Sequence, residues 1–167
     1  MMKYEPRNTT AEHDDDEMLM IEANIDDCQG EWMGYTMEKL LSSGANDVYF
    51  TPIIMKKNRP AYKLSVLAHQ SKLPKLTQII FTETTSFGIR HYPVTCHRIE
   101  RKFEQVHTPW GAVNIKIGRH LGEIVQLSPE YEDCRRIALQ FHLPLGTIYQ
   151  QAIDRFQQNH MVPREEK

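Results

Sequence analysis

Apolar residues change their spacing several times along this chain, and each change marks a new element. Residues 19–25 (LMIEANI) are apolar at both parities, as in a strand covered on both faces. Asp26 and Asp27 supply cap chemistry ahead of a helix over 31–43, where Trp32, Met33, Met37, Leu40 and Leu41 recur at helical spacing. Gly44 is placed to close it. Residues 48–55 (VYFTPIIM) favour a strand, and Pro52 points to an edge strand or a bulge. A polar link over 56–60 (KKNRP) leads to another strand over 62–68. From Ser71 or Lys72 to Thr84, the positions of Leu73, Leu76, Ile79, Ile80 and Phe81 predict a second amphipathic helix. Residues 88–104 read as one long strand.

That order, β-α-β-β-α-β, is the ferredoxin-like arrangement. Beyond it, Thr108-Pro109-Trp110-Gly111 carries turn chemistry for a hairpin with a strand over 113–117, and a short strand follows near 124–127. Pro129 opens a helix over 130–141, and a fourth helix occupies 147–159. The expected class is α+β: a ferredoxin-like βαββαβ unit followed by a β-hairpin and two C-terminal helices. The expected division is a ferredoxin-like subdomain over 18–106 and a hairpin-plus-helix subdomain over 107–160.

Charge adds two tails. The chain has 167 residues, with 20 Lys plus Arg against 22 Asp plus Glu. Six acids and two cations fall within residues 1–17, so that segment carries −4 and the remainder +2. With almost no apolar content, 1–17 reads as a disordered acidic tail, and 161–167 as a second short one. No apolar run approaches the ~20 residues that span a bilayer, and the opening residues lack a signal core. A cytoplasmic protein without membrane or nucleic-acid partners is expected. The near-neutral charge argues against a basic nucleic-acid face, and the aromatic RNA-binding strand pattern is missing. Cys28, Cys96 and Cys134 are odd in number and widely spaced, which predicts free thiols rather than disulfides or a zinc knuckle.

Phosphate-loop, zincin and hydrolase-elbow patterns are all missing, but four polar clusters stand at predicted element ends. In 24–31 (NIDDCQGE), three carboxylates within six residues suit Mg²⁺ or Mn²⁺, and they equally suit a helix cap and dipole. In 55–60 (MKKNRP), three cations in four residues, pinned by Pro60, suit a polyphosphate or a plain solvated loop. In 83–90 (ETTSFGIR), hydroxyls, a glycine and an arginine suit a phosphate or sugar site or an ordinary helix exit. In 129–134 (PEYEDC), three acids complement a helix N-terminus with or without a ligand.

Taken in order, IDDCQGE, MEKLLSSGANDVYFTPIIMKKNRP, ETTSFGIR and PEYEDCRRIA strongly resemble the carboxy-terminal part of the LarC family, over residues 20–149. These are nickel insertion proteins of the lactate racemase cofactor pathway. The resemblance implies a CTP-dependent nickel insertase, a lyase of the metal-chelatase type. It would cleave CTP to CMP and diphosphate and insert substrate nickel into pyridinium-3,5-bisthiocarboxylate mononucleotide. By that analogy Lys56, Lys57, Asn58, Arg59, Thr84, Thr85 and Arg90 bind the nucleotide, with Lys57 and Arg90 catalytic. Glu83 would act as a second acid behind them. Asp26, Asp27 and Glu31 hold Mg²⁺ or Mn²⁺, with Glu130, Glu132 and Asp133 as weaker candidates. Family members usually carry an amino-terminal domain, implied here as a partner in cis or in trans. Their first motif commonly has Met and Pro where Cys28 and Gly30 stand, so Cys28 is expected to be a packed thiol. The alternative is a non-enzymatic nucleotide-binding or assembly module that needs the separate amino-terminal domain. Its edge strand and long strand further suggest a homo-oligomer.

Overall fold

The computed structural model describes residues 11–161, and these form two compact units. The first unit runs from Asp14 to His97 and the second takes up the chain from Arg98. The expected boundary after residue 106 therefore lies nine residues beyond the observed one.

In the first unit the order is β1 (His13–Ile25), α1 (Gly30–Ser42), β2 (Asp47–Met55), β3 (Arg59–His69), α2 (Leu73–Glu83) and β4 (Arg90–Arg98). The sheet order is β2-β3-β1-β4, the ferredoxin-like order that the sequence predicts. β1 pairs antiparallel with β3 from Met18↔His69 to Ile25↔Tyr62, and β2 with β3 from Asp47↔Leu67 to Met55↔Arg59. Pro52 is tolerated because β2 lies at the sheet edge. Leu19, Ile21, Ala23 and Ile25 send one face of β1 into a core with Leu40, Val48, Leu64, Val66, Leu76 and Ile80. Gly44, at φ +101°, closes α1 in a conformation that side chains resist, and its N–H donates to the Leu41 carbonyl at 3.1 Å.

One expectation fails here. β1 begins at His13, so residues 13–17 are strand and not tail. Polar bonds replace the missing apolar contacts: Asp14 Oδ1 meets His97 Nδ1 at 2.7 Å, Thr95 Oγ1 donates to Asp16 Oδ1 at 2.8 Å, and Glu17 Oε2 meets His69 Nε2 at 2.8 Å. The rest of that expected tail, residues 1–10, lies outside the described residues, as do residues 162–167 of the second tail. Met161 itself closes the last helix.

In the second unit β5 (Glu100–Thr108), β6 (Gly111–His120) and β7 (Glu123–Pro129) form an antiparallel meander in the order β5-β6-β7. α3 (Tyr131–Phe141) and α4 (Leu145–Met161) follow. The expected hairpin is thus present with one more strand, because the predicted long strand breaks at Ile99 into β4 and β5. Ile99 packs over Gly118 of β6: a Cβ added there would stand 2.7 Å from Ile99 Cδ1. Val106, Val113, Ile115, Cys134, Ile137, Ile148 and Phe156 build the core of this unit. All three cysteines are free, and no helix among the described residues is long and apolar enough to cross a membrane.

Candidate functional site

Three of the four polar clusters meet at one end of the first unit's sheet, and strand register is the cause. β1 ends at Ile25 opposite Tyr62, three residues after β3 starts at Arg59, while β2 ends at Met55 opposite that same Arg59. α2 ends at Glu83 and β4 starts at Arg90. The segments 26–29, 56–58 and 84–89 therefore all emerge together.

Side-chain bonds tie the segments to one another. Arg59 Nη1 donates to Asp26 Oδ2 at 3.1 Å, joining the β2–β3 turn to the end of β1. Thr85 Oγ1 donates to Asp27 Oδ1, joining the α2–β4 segment to the same place. Arg90 donates from Nε to Glu22 Oε2 at 2.8 Å and from Nη2 to Asn24 Oδ1 at 3.0 Å. Its carboxylate partner is 8% exposed and takes a second cation, Lys63 Nζ, at 2.8 Å. The Lys63 ammonium, helped by Arg90, holds the Glu22 carboxyl below its ordinary value against the opposing pull of burial.

Other expected site residues have more local roles. Thr84 Oγ1 donates to the Ile80 carbonyl at 2.7 Å and accepts from Ser86 N at 3.2 Å, so it closes α2. Glu83 Oε1 pairs with Lys39 Nζ at 2.6 Å, and its carbonyl accepts from Thr36 Oγ1 at 3.2 Å, fastening α2 to α1. Glu31 is exposed in the first turn of α1, and the oxygens of Asp26, Asp27 and Glu31 do not converge within 4.8 Å of one another. Burial pushes the Cys28 thiol up, in keeping with a packed thiol.

Lys56, Lys57 and Asn58 are exposed in the β2–β3 turn. Lys57 and Asn58 adopt φ +62° and +56°. The left-handed conformation suits Asn but is unfavourable by about 1 kcal/mol for a residue such as Lys. No carboxylate among the described residues pairs with Lys56 or Lys57, which leaves two ammonium groups beside Arg59.

The fourth cluster belongs to the second unit. Asp133 Oδ2 accepts from Asn114 N at 3.0 Å and Asn114 Nδ2 at 2.9 Å, and Glu132 pairs with Arg135 at 3.7 Å. Glu130 caps α3 through its backbone, accepting from Cys134 N at 3.1 Å. These acids thus serve the start of α3.

Sequence reasoning missed Glu22 and Lys63 as members of this network. The signal was present in Glu22 alone, an acid in a strand whose neighbours on both parities are apolar. Such a residue needs a buried partner of opposite charge.

The whole arrangement offers cations for phosphate oxygens and two carboxylates, each with one oxygen outside the bonds just described. A Mg²⁺ or Mn²⁺ ion fits that donor set, because Mg²⁺ is commonly held by one or two carboxylates together with substrate phosphates and water.

Comparison with known proteins adds chemistry. The family model described as nickel insertion protein matches residues 2–149. The pyridinium-3,5-bisthiocarboxylic acid mononucleotide nickel insertion protein of Lactiplantibacillus plantarum is 47% identical over 138 residues, covering 83% of this chain and 33% of that protein. A putative nickel insertion protein of Wolinella succinogenes is 46% identical over 131 residues, covering 78% of this chain and 33% of its own length. The chain thus spans about a third of the length of these curated relatives. Among solved structures, the apo form of LarC2 superposes with a TM-score of 0.82 at 44% identity, covering 87% of this chain and 99% of that one. It is described as the C-terminal domain of a cyclometallase involved in the synthesis of the NPN cofactor of lactate racemase. A protein from Methanopyrus kandleri shares the fold, with a TM-score of 0.64 at 23% identity over 82% of this chain and 84% of its own.

Proposed function

This chain belongs to the nickel insertion protein family, and we propose that it supplies the CTP-binding, catalytic part of a nickel insertase acting on a pyridinium bisthiocarboxylate mononucleotide. The observation that carries this reading is the meeting of 26–27, 56–59 and 85–90 at one end of a ferredoxin-like sheet, with Lys56 and Lys57 exposed and without a carboxylate partner among the described residues.

A nucleoside triphosphate carries about four negative charges, which must be neutralised before phosphorus is attacked in line. Lys56, Lys57 and Arg59 grip the phosphates, with Asn58 holding the turn in the shape that presents them. Asp26 and Asp27 would hold Mg²⁺ or Mn²⁺, with Glu31 as a further candidate ligand. When bound, that ion neutralises and orients phosphate oxygens. Thr85 fixes Asp27, and its hydroxyl oxygen accepts from a ribose hydroxyl. Arg90 is aimed by Glu22 and Asn24, so that its remaining edge faces the phosphates, and Lys57 and Arg90 stabilise charge as the bond between the α- and β-phosphates breaks. Overall one water is consumed, its oxygen ending on the α-phosphorus of CMP as diphosphate leaves, and nickel enters as substrate, drawn to the thiocarboxylate sulfurs of the organic ligand.

The experiment is a calorimetric titration of CTP, ATP, GTP and UTP with Mn²⁺ or Mg²⁺ present. CTP alone should bind tightly, and Lys56→Ala with Lys57→Ala should abolish binding. Unchanged CTP affinity in that double variant overturns the reading.

A second reading rests on the coverage of a third of the relatives' length. In it the chain is a nucleotide-binding or assembly module that turns over only with an amino-terminal domain supplied in cis or in trans. Incubation of the chain with CTP and Mn²⁺, followed by assay of CMP and diphosphate, separates the two. We also place the protein in the cytoplasm as a homo-oligomer, and light scattering at about 20 kDa would refute the second part.

A further inference from the structure

The 84–89 segment presents an aromatic ring for which the site as described has no use. Phe87 is wholly exposed, whereas Trp32, Tyr35 and Phe81, the other exposed large rings on the adjacent helices, keep about half of their surface covered. Its backbone is nevertheless held on both sides. Ser86 N donates to Thr84 Oγ1 at 3.2 Å, Ser86 Oγ donates to the Gly88 carbonyl at 2.7 Å, and Gly88 N returns a bond to Ser86 Oγ at 3.4 Å. Thr85, two residues before the ring, is tied to Asp27, and Arg90, three residues after it, is tied to Glu22 and Asn24. At 3.8 Å per peptide unit, the Phe87 Cα lies within about 8 Å of Thr85 Cα and within about 11 Å of Arg90 Cα. The backbone that carries the ring is therefore held at the candidate site.

What such a ring recognises follows from what surrounds it. The Thr84 hydroxyl is spent on Ile80, that of Thr85 on Asp27, and that of Ser86 on Gly88. None of them has a donor proton left for the polar edge of a nucleobase. Phe87 offers a π face only, negative at its centre, which favours a planar ring carrying positive charge.

Resting on the reading of the previous subsection, we infer that Phe87 is a specificity-determining residue for the organic substrate. Its face takes the cationic ring of a pyridinium mononucleotide, while the cations of 56–59 serve the nucleoside triphosphate.

Nicotinamide mononucleotide, a pyridinium mononucleotide, and its reduced dihydropyridine form differ by a hydride and have nearly the same shape, so together they isolate the ring charge. Each is titrated into the full chain, its Phe87→Leu variant and its Phe87→Trp variant, with CTP titrated in parallel. The wild-type chain should bind the oxidised form more tightly than the reduced form. Phe87→Leu should weaken the oxidised form about 3- to 10-fold, Phe87→Trp should retain it, and CTP should move less than about twofold. Absence of pyridinium binding, equal affinity for the two redox forms, or an unchanged affinity in Phe87→Leu overturns the inference. So does a loss confined to CTP, which would put the base on the ring. Failure of CTP to bind, with Phe87-dependent pyridinium selectivity intact, overturns the nucleotide reading alone.

Discussion

Glu22 Oε2 and Arg90 Nε stand 2.8 Å apart, linking the middle of β1 to the first residue of β4. With Lys63 on the other carboxylate oxygen, the buried acid is shared by two cations from two neighbouring strands. It also fixes the arginine at the start of β4, where 84–89 enters the sheet.

Replacing Glu22 with Gln leaves Lys63 and Arg90 without a counter-charge. Both cations retain solvent access, so the expected loss is about 1–3 kcal/mol in urea unfolding, smaller than for a fully buried pair. Acid stability gives a sharper check. The folded-state value of Glu22 lies below the ordinary 4.5, so its stabilisation is complete above about that pH and is lost as pH falls through the folded value. The wild-type chain should lose more stability than Glu22→Gln on going below pH 4.5, and parallel acid limbs would show that the carboxylate is not coupled to folding.

Lys57 holds a left-handed conformation at φ +62°. Glycine adopts it freely, so Lys57→Gly should raise stability by up to ~1 kcal/mol while weakening CTP binding at least about tenfold. Opposite signs in the thermal melt and in the titration identify a backbone strained in favour of presenting the ammonium. A loss of stability would place the strain elsewhere.

Gly118 makes room for Ile99, and a Cβ there would meet Ile99 Cδ1 at 2.7 Å and Gln126 Cβ at 3.1 Å. Gly118→Ala should destabilise the second unit by about 1–3 kcal/mol, and Ile99→Ala in the same chain should recover part of that loss. Strict additivity of the two substitutions would show that they do not share the contact.

Burial pushes the Cys134 thiol up to about 11, while Cys28 and Cys96 are only partly buried. At pH 8, a thiol reagent should label Cys28 and Cys96 first and reach Cys134 only on unfolding, because the thiolate is the reactive form. Mass spectrometry of the labelled peptides reads the order directly.

From local periodicity alone, the chain specified its βαββαβ order, Pro52 on an edge strand, Gly44 as a helix stop and the turn at 108–111. Each of these depends on residues within a few positions of one another. The motifs 26–27, 56–59 and 84–90 were equally legible as clusters. Tertiary structure decided the rest, since pairing and close approach join residues far apart in the chain. Register brought those motifs to one sheet end, and cross-strand bonds drew 13–17 into β1. Ile99 seated over Gly118 cut an apparently continuous strand in two. Glu22 became the partner of Lys63 and Arg90, while Asp133 turned to Asn114. Spacing shows that a charge is present, and only folding decides which opposite charge it meets.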